Sequence, residues 1–252
     1  MMIRLENVSK WYLNDGKQSE PVLYELNLTI PDRQFVCILG PSGCGKTTLL
    51  NLVAGFITPS RGHVFFDDAP IEGPGPERGV VFQDANLFPW LTVRKNVEFA
   101  LRLRGVDHNA MRDTAGKYLD LVGMASHKNA FPHTLSGGMR QRTAISRALA
   151  LEPKALLMDE PFSSLDANAR EHLQDELLKI WQHRQRTLIY ITHSVEEAAY
   201  LADRVIVMGP SPQNIRGDML LQSVRPRKRS SEEMRNATAE LRAALDSLPC
   251  CV

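Results

Sequence analysis

The sequence predicts an α/β fold: a parallel sheet with helices packed on it, an antiparallel β layer at one side, and a helical insertion. Three observations carry this. Short apolar runs alternate with longer helix-compatible stretches, the order that builds a parallel sheet. Four runs, at residues 35–39, 155–158, 188–191 and 205–208, are unbroken and apolar, as strands buried on both faces require. Residues 94–151, in contrast, contain few strand-like runs.

Taken in order, Arg4 to Val8 and Leu26 to Ile30 alternate partially and read as antiparallel strands, joined across an Asp15-Gly16 turn signal. Phe35 to Leu39 is the first buried strand, followed by a glycine-rich loop and a helix starting near Lys46. Val80-Val81-Phe82 is a shorter strand. Val93 to Leu103, Ala110 to Val122 and Gly138 to Leu151 have helical spacing and form the insertion. Ala155 to Met158 returns to the sheet, Asn168 to Arg184 is a further helix, and the runs at Leu188 and Val205 complete the strands. In the tail, Arg225-Pro-Arg-Lys-Arg229 reads as a basic turn, either solvated or weakly attracted to an anionic membrane. Ser230-Ser-Glu-Glu233 reads as a capping box, with Met234, Leu241, Leu245 and Leu248 on one helical face. The expected organisation is a core of residues 1–84 and 153–222, a helical subdomain at 85–152, and a basic turn with a short helix at 223–252. No internal repeat is present.

Composition excludes several classes. The 252 residues are 43% hydrophobic and 23% charged, which rules out a disordered chain. Thirty Lys and Arg against 29 Asp and Glu leave a net charge of +1, too little for a general nucleic-acid coat, and no nucleic-acid partner is expected. No apolar run approaches the ~20 residues of a membrane helix. The opening MMIRLENVSK lacks the apolar segment of a signal peptide. Cysteines at 37, 44, 250 and 251 form neither a disulfide framework nor a zinc pattern; they read as reduced thiols, with Cys250-Cys251-Val252 open to lipidation.

The residues just beyond each strand carry the chemistry. Leu39 runs into Gly40-Pro41-Ser42-Gly43-Cys44-Gly45-Lys46-Thr47, then Thr48, matching the phosphate-loop pattern G-x-x-x-x-G-K-[ST]. Glycines let backbone N–H groups turn around phosphate oxygens, the adjoining helix adds its positive N-terminal end, Lys46 adds a full charge, and the Thr47 hydroxyl can ligate Mg²⁺. The loop alone does not separate kinases, GTPases, recombinases and transport ATPases. Met158 runs into Asp159-Glu160, a Mg²⁺ partner beside a carboxylate able to polarise water. No guanine-reading Asn-Lys-x-Asp is present. Phe82 runs into Gln83, and Ile191 into Thr192-His193. In parallel sheets ligands sit beyond the carboxyl ends of strands, so these ends point to one shared site. Leu135-Ser136-Gly137-Gly138-Met139 opens an Arg-rich helix and reads as a second anion cradle or a plain N-cap.

Together these motifs resemble the ATP-binding cassette (ABC) ATPases, whose fold is a RecA-like P-loop NTPase core with an antiparallel β subdomain and a helical insertion. The resemblance makes Gly40 to Thr47 the Walker A loop, Gln83 the Q-loop residue, and Leu135 to Met139 the signature motif, with Met139 where Gln is commoner. It makes Asp159 and Glu160 the Walker B end, Ser163-Ser164-Leu165-Asp166 the D-loop, and His193 the switch histidine. It implies that adenine stacks on Tyr12, or on neighbouring Trp11. Thr47, Gln83 and Asp159 are then the Mg²⁺ residues, and Lys46, Glu160 and His193 the catalytic ones. Residues 71–75, 79–83, 87–90, 159–162 and 208–212 further resemble the nitrate/sulfonate/taurine importer branch, the taurine type most of all.

The resemblance implies a head-to-tail homodimer in the ATP-bound state, each ATP lying between one chain's Walker A loop and the other's Ser136 to Gly138. It implies a cytoplasmic chain on the inner face of the membrane, bound to permease subunits and served indirectly by a periplasmic solute-binding protein. Leu87-Phe-Pro-Trp90, apolar where a loop should be polar, reads as the permease dock or as internal packing. Exporter ATPases and non-transport cassette ATPases of DNA repair or translation are the alternatives.

Overall fold

The computed structural model describes residues 3–14, 17–18, 20–163, 165–184, 186–221, 225 and 227–247. In chain order the strands are β1 (Ile3–Lys10), β2 (Leu13–Asn14), β3 (Lys17–Gln18), β4 (Leu23–Ile30), β5 (Phe35–Leu39), β6 (Arg61–Phe66), β7 (Ala69–Pro70), β8 (Arg78–Val81), β9 (Ala155–Asp159), β10 (Thr187–Thr192), β11 (Arg204–Met208) and β12 (Ile215–Leu220). The helices are α1 (Lys46–Ala54), α2 (Val93–Leu103), α3 (His108–Leu121), α4 (Gly137–Ala150), α5 (Ala167–Arg184), α6 (Val195–Leu201) and α7 (Glu232–Asp246). They fall into two units, residues 1–75 with 186–252 and residues 76–185. The sequence division placed 76–84 and 153–185 with the core and set the tail apart; here the former cluster with α2 to α4 and the tail clusters with the first unit.

In the first unit the antiparallel layer runs β4-β1-β6-β7. Its inward residues, Ile3, Leu5, Val8, Leu26, Leu28 and Ile30, are buried, as period-2 alternation requires. The Asp15-Gly16 turn lies outside the described residues. The same unit orders β12-β11-β5-β10, with β10 and β11 parallel to β5 and β12 antiparallel to β11. Every residue of β5 and β10 is buried, so apolar continuity identified them correctly. Strand β12 escaped sequence reading because no residue in it is fully buried and Gly217 and Asp218 break its pattern.

In the second unit β8 and β9 are parallel, and α2, α3 and α4 pack together. Strand β8 stops at Val81, one residue short of expectation. Helix α3 starts earlier than expected because Asp107 caps it, accepting from Asn109 N at 2.8 Å. The tail helix departs from the expected capping box: Ser231 is the cap, accepting from Met234 N at 3.2 Å, so no glutamate stands at the reciprocal position. Met234 and Leu241 are buried on its inner face; Leu248 lies outside the described residues. The basic turn is neither solvated nor directed at a membrane as a whole, because Arg227 is buried and Arg225 pairs with Asp203. Among the described residues no helix is long and apolar enough to cross a membrane.

Candidate functional site

Two pairs of strand ends carry the predicted residues, one pair in each unit. In the first, Thr192 is level with Leu39, so β5 and β10 release their next residues side by side. Gly40 to Thr47 and His193 are thereby brought together at one edge of this sheet. In the second unit, Val81 is level with Met158, which brings Gln83 and Asp159-Glu160 out at adjacent strand ends.

The loop after β5 is shaped by its glycines. Gly43 and Gly45 have φ of 81° and 101°, the left-handed region that side chains resist. A Cβ on Gly40 would lie 2.3 Å from the carbonyl oxygen of Met208, a backbone atom that cannot move aside cheaply. Lys46, only 6% exposed, donates from Nζ to the carbonyls of Gly40 and Pro41, each at 2.8 Å. Its charge is thus fixed across the loop. Thr47 and Ser42 are exposed, Pro41 is half-buried, and Cys44 is a buried thiol. Helix α1 begins at Lys46 with no acidic residue in its first turn, leaving its positive end uncompensated by its own sequence. Tyr12 is exposed beside this helix: its hydroxyl lies 3.3 Å from that of Thr48, and Lys10 Nζ lies 5.4 Å from its ring centre. Trp11 is half-buried, with Arg61 5.5 Å from its ring centre, so of the two aromatics Tyr12 is the more exposed.

His193 is exposed in the turn between β10 and α6. Buried Glu197 builds that turn: its Oε2 accepts from Thr192 Oγ1 at 2.5 Å and from Tyr190 OH at 3.3 Å. Thr192 Oγ1 in turn accepts from Ser194 N at 3.0 Å, and Ser194 Oγ caps α6 by accepting from Glu197 N at 3.2 Å. Glu197 was missed from sequence, although Ser194-Val-Glu-Glu197 is a capping-box spacing.

In the second unit, Glu160 has φ of 41°, an uncommon conformation for a residue with a side chain. It is held there by Ser163, whose N and Oγ both donate to the Glu160 carbonyl, at 3.2 and 3.0 Å. Strain of this kind persists where surroundings over-determine it, and it gathers at functional positions. Asp159 and Glu160 are half-buried and Gln83 is exposed. Asp166 accepts from Ala169 N at 2.9 Å, so its carboxylate caps α5. Ser164 lies outside the described residues. Ser136 caps α4, accepting from Met139 N at 3.3 Å. Gly137 and Gly138 do not have positive φ, and a Cβ on either would meet nothing closer than 3.4 Å.

The arginines of α4, which in sequence only mark the helix after Ser136 to Gly138 as Arg-rich, bond to carbonyls and a carboxylate of their own unit. Arg140 donates to Leu135 O at 2.8 Å, and Arg142 to Val122 O and Glu176 Oε1, both at 3.1 Å. Arg147 donates to Asn86 O at 2.8 Å and Ala85 O at 3.2 Å, and lies 5.4 Å from the ring centre of Phe88. Burial pushes its guanidinium below the usual range. Gln141, also buried, donates to Phe82 O at 3.0 Å. Helix α4 therefore holds the segment on either side of Gln83. Fully buried Asn96 clamps its far end, accepting from Phe88 N and donating to the carbonyls of Phe88, Leu91 and Thr92. These positioning residues carry no sequence signal, since an Asn or Gln inside a helix reads as a polar surface position.

A family model described as ABC transporter matches residues 23–163, a span that includes the Gly40–Thr47 loop, Gln83, Ser136 to Gly138 and Asp159-Glu160. The chain belongs to the ABC transporter family. As a member it is an ATPase, hydrolysing ATP to ADP and phosphate in the service of transport. It is 50% identical over 198 residues to the taurine import ATP-binding protein TauB of Yersinia pestis, covering 79% of this chain and 78% of that one. It is 48% identical over 207 residues to the nitrate import ATP-binding protein NrtD of Synechocystis, covering 82% and 78%. Among solved structures it resembles a dimeric ATP-binding cassette bound to ADP and phosphate, with a TM-score of 0.78, 30% identity, and coverage of 88% of this chain and all of that one. The P-loop NTPase fold expected from sequence is thereby shown.

The ABC chain also carries an exposed aromatic surface. Trp90 is 71% exposed, and Phe88 packs against both Trp90, tilted, and Phe99, edge-on, at centroid distances of 5.5 and 4.8 Å. Phe99 and Leu103, both exposed, lie one turn apart on α2. Trp90 is therefore not internal packing.

Proposed function

We propose that this chain is the ATP-hydrolysing subunit of a bacterial importer that takes up a small anion such as taurine, another sulfonate or nitrate through a separate membrane permease. The observation that carries the reading is near-50% identity, over about four fifths of the chain, to relatives named for taurine and nitrate import. The rigidly held surface at Phe88, Trp90 and Phe99 supports a permease dock: a large exposed aromatic on a clamped loop is the kind of anchor that dominates interfaces. The chain is cytoplasmic in this reading, on the inner face of the membrane, with a periplasmic receptor selecting the solute.

ATP lies on the Gly40–Thr47 loop with adenine against Tyr12. The loop amides and Lys46 balance the phosphate charge, where preorganised electrostatics contribute most. Glu160 orients and polarises the attacking water, and His193 contacts the γ-phosphate. Thr47, Gln83 and Asp159 would hold Mg²⁺: a hydroxyl, an amide carbonyl and a carboxylate are the oxygen donors this ion prefers, and when bound it would supply charge neutralisation at the phosphates. Two chains pair head to tail, so that Ser136, Gly137, Gly138 and Asp166 of one meet the ATP of the other. The glycines support this, because the fold of their own helix does not require them and the close approach of a phosphate does.

Glu160→Gln keeps shape and loses charge. It lowers kcat by roughly 10²–10⁴-fold while ATP binding persists and an ATP-dependent dimer accumulates, measured by size exclusion. Near-normal turnover would remove Glu160 from the mechanism. Trp90→Ala abolishes co-purification with the permease and leaves the melting temperature unchanged, as an exposed residue should; retained permease binding would refute the dock. Taurine- or nitrate-stimulated hydrolysis in vesicles with permease and receptor tests the solute.

A further inference from the structure

The basic turn of the tail and the helix after it have no part in the site just described, yet both are built into the helix that comes after His193. Helix α6 has seven residues, too few to be stable on its own. The tail holds both of its ends. At the C-terminal end, Arg227 is 6% exposed and donates from Nη1 to the carbonyls of Ala199 and Tyr200, at 3.0 and 3.1 Å. Those carbonyls belong to the last turn, which has no partners within the helix, and a cation there also opposes the negative end of the helix dipole. Burial, with neighbouring Arg225 adding to it, pushes the Arg227 guanidinium down to about 10, so it remains charged at neutral pH. Arg229 stacks over the ring of Tyr200, 3.7 Å from its centre. Arg225 pairs with Asp203, whose other oxygen accepts from Phe35 N at the start of β5.

At the N-terminal end, Arg242 of α7 donates to Glu196 Oε1 at 2.5 Å. The other oxygen of Glu196 accepts from Ser194 Oγ at 3.1 Å, and Ser194 is both the cap of α6 and the residue after His193. From Arg227 the connection runs through one short helix to the His193 turn. From Arg242 it runs through a single carboxylate.

We propose that the C-terminal segment is a strut for the switch histidine, in which Arg227 and, secondarily, Arg242 are positioning residues that set His193 through helix α6. The proposal rests on His193 acting at the γ-phosphate. The Arg242–Glu196 pair is exposed on both sides, so its contribution is the smaller one. The bonds of Arg227 and Arg242 described above lead to α6 and its cap, on the His193 side, so the strut acts on turnover more than on nucleotide capture.

The test uses the full-length chain and three readouts: kcat and KM for ATP, melting temperature, and the imidazole resonances of His193 by NMR. Arg227→Met keeps length and removes the donors. It lowers kcat about tenfold with KM for ATP moved by less than about twofold, and it shifts the His193 resonances in protein that is folded at the assay temperature. Arg227→Lys, which keeps the charge and can still reach one carbonyl, recovers part of the loss. A folded Arg227→Met chain with wild-type kcat and unshifted His193 resonances overturns the proposal, as does a fall in kcat that only tracks the unfolded fraction. Should Arg227→Met not fold, Arg242→Ala decides: a measurable kcat loss with KM and melting temperature held supports the strut, and wild-type kcat with unshifted resonances refutes it. His193→Ala separates the two ideas. If it hydrolyses ATP normally, the histidine's role fails whatever the tail does. If it is inactive while both arginine variants behave as wild type, only the strut fails.

Discussion

The two glycine-rich segments proposed as anion cradles look alike in sequence and differ in kind. In Gly40 to Thr47 the glycines serve the fold: two have positive φ, and a third faces the carbonyl of Met208 with no room for a side chain. In Ser136 to Gly138 they serve nothing internal. Their backbone is one any residue can adopt, and a Cβ on either would meet nothing closer than an ordinary contact, 3.4 Å from Leu165 at Gly138. The first cradle is complete within one chain, down to a lysine fixed on its own loop. The second is an ordinary capped helix start, distinguished only by what has been left off it. Glycine in one case permits a conformation, and in the other, on the function proposed above, keeps a surface bare for the partner chain's ATP.

Mixing experiments test this contrast most strongly. Ser136→Arg puts bulk and charge on the second cradle, and Lys46→Ala disables the first, so either homodimer should lack hydrolysis. A mixed dimer has one site with both cradles damaged and one with both intact, and activity returns. If Ser136 served its own chain's ATP, mixing would restore nothing; a pull-down with two tags verifies that the mixed dimer forms.

Stability separates the cradles next. Gly40→Ala forces a Cβ against a backbone oxygen and costs on the order of 1–3 kcal/mol, read as a lower denaturation midpoint. Gly138→Ala leaves stability unchanged or raises it by up to ~1 kcal/mol through helix propensity, while lowering turnover. A destabilised Gly138→Ala would mean that this glycine serves the fold after all, and the contrast would fail. Smallest is Ser136→Ala, which removes the cap of α4 at about 1 kcal/mol. A turnover defect larger than that stability loss explains would assign the Ser136 hydroxyl a role beyond capping.

Much of this molecule was legible in the chain itself. Unbroken apolar runs located β5, β9, β10 and β11, because strands buried on both faces leave no place for polar residues. The polar residues at their ends were legible for the complementary reason: Gly40 to Thr47, Gln83, Asp159-Glu160 and His193 are chemically capable groups where a core strand stops. The limits of α2 were readable to the residue, since a strongly amphipathic helix with a Thr92 cap marks its own ends. Strand β12 and helix α6 were not read, one being half-exposed throughout and the other too short for periodicity to show.

What tertiary structure alone decided is the employment of the long polar side chains. From sequence, Arg140, Arg142 and Arg147 only marked an Arg-rich helix, and Arg225 to Arg229 read as a solvated or membrane-seeking turn. In the fold these arginines, Arg225, Arg227 and Arg229 among the tail's, reach carbonyls, carboxylates and aromatic faces, many of them distant in sequence, as Arg147 does at Ala85 and Asn86 and Arg227 at Ala199 and Tyr200. The physical reason is reach. An apolar residue declares its burial by its own transfer energy. A guanidinium is equally content with water, a phosphate or an orphan carbonyl, and only the folded chain determines which of these stands within its length.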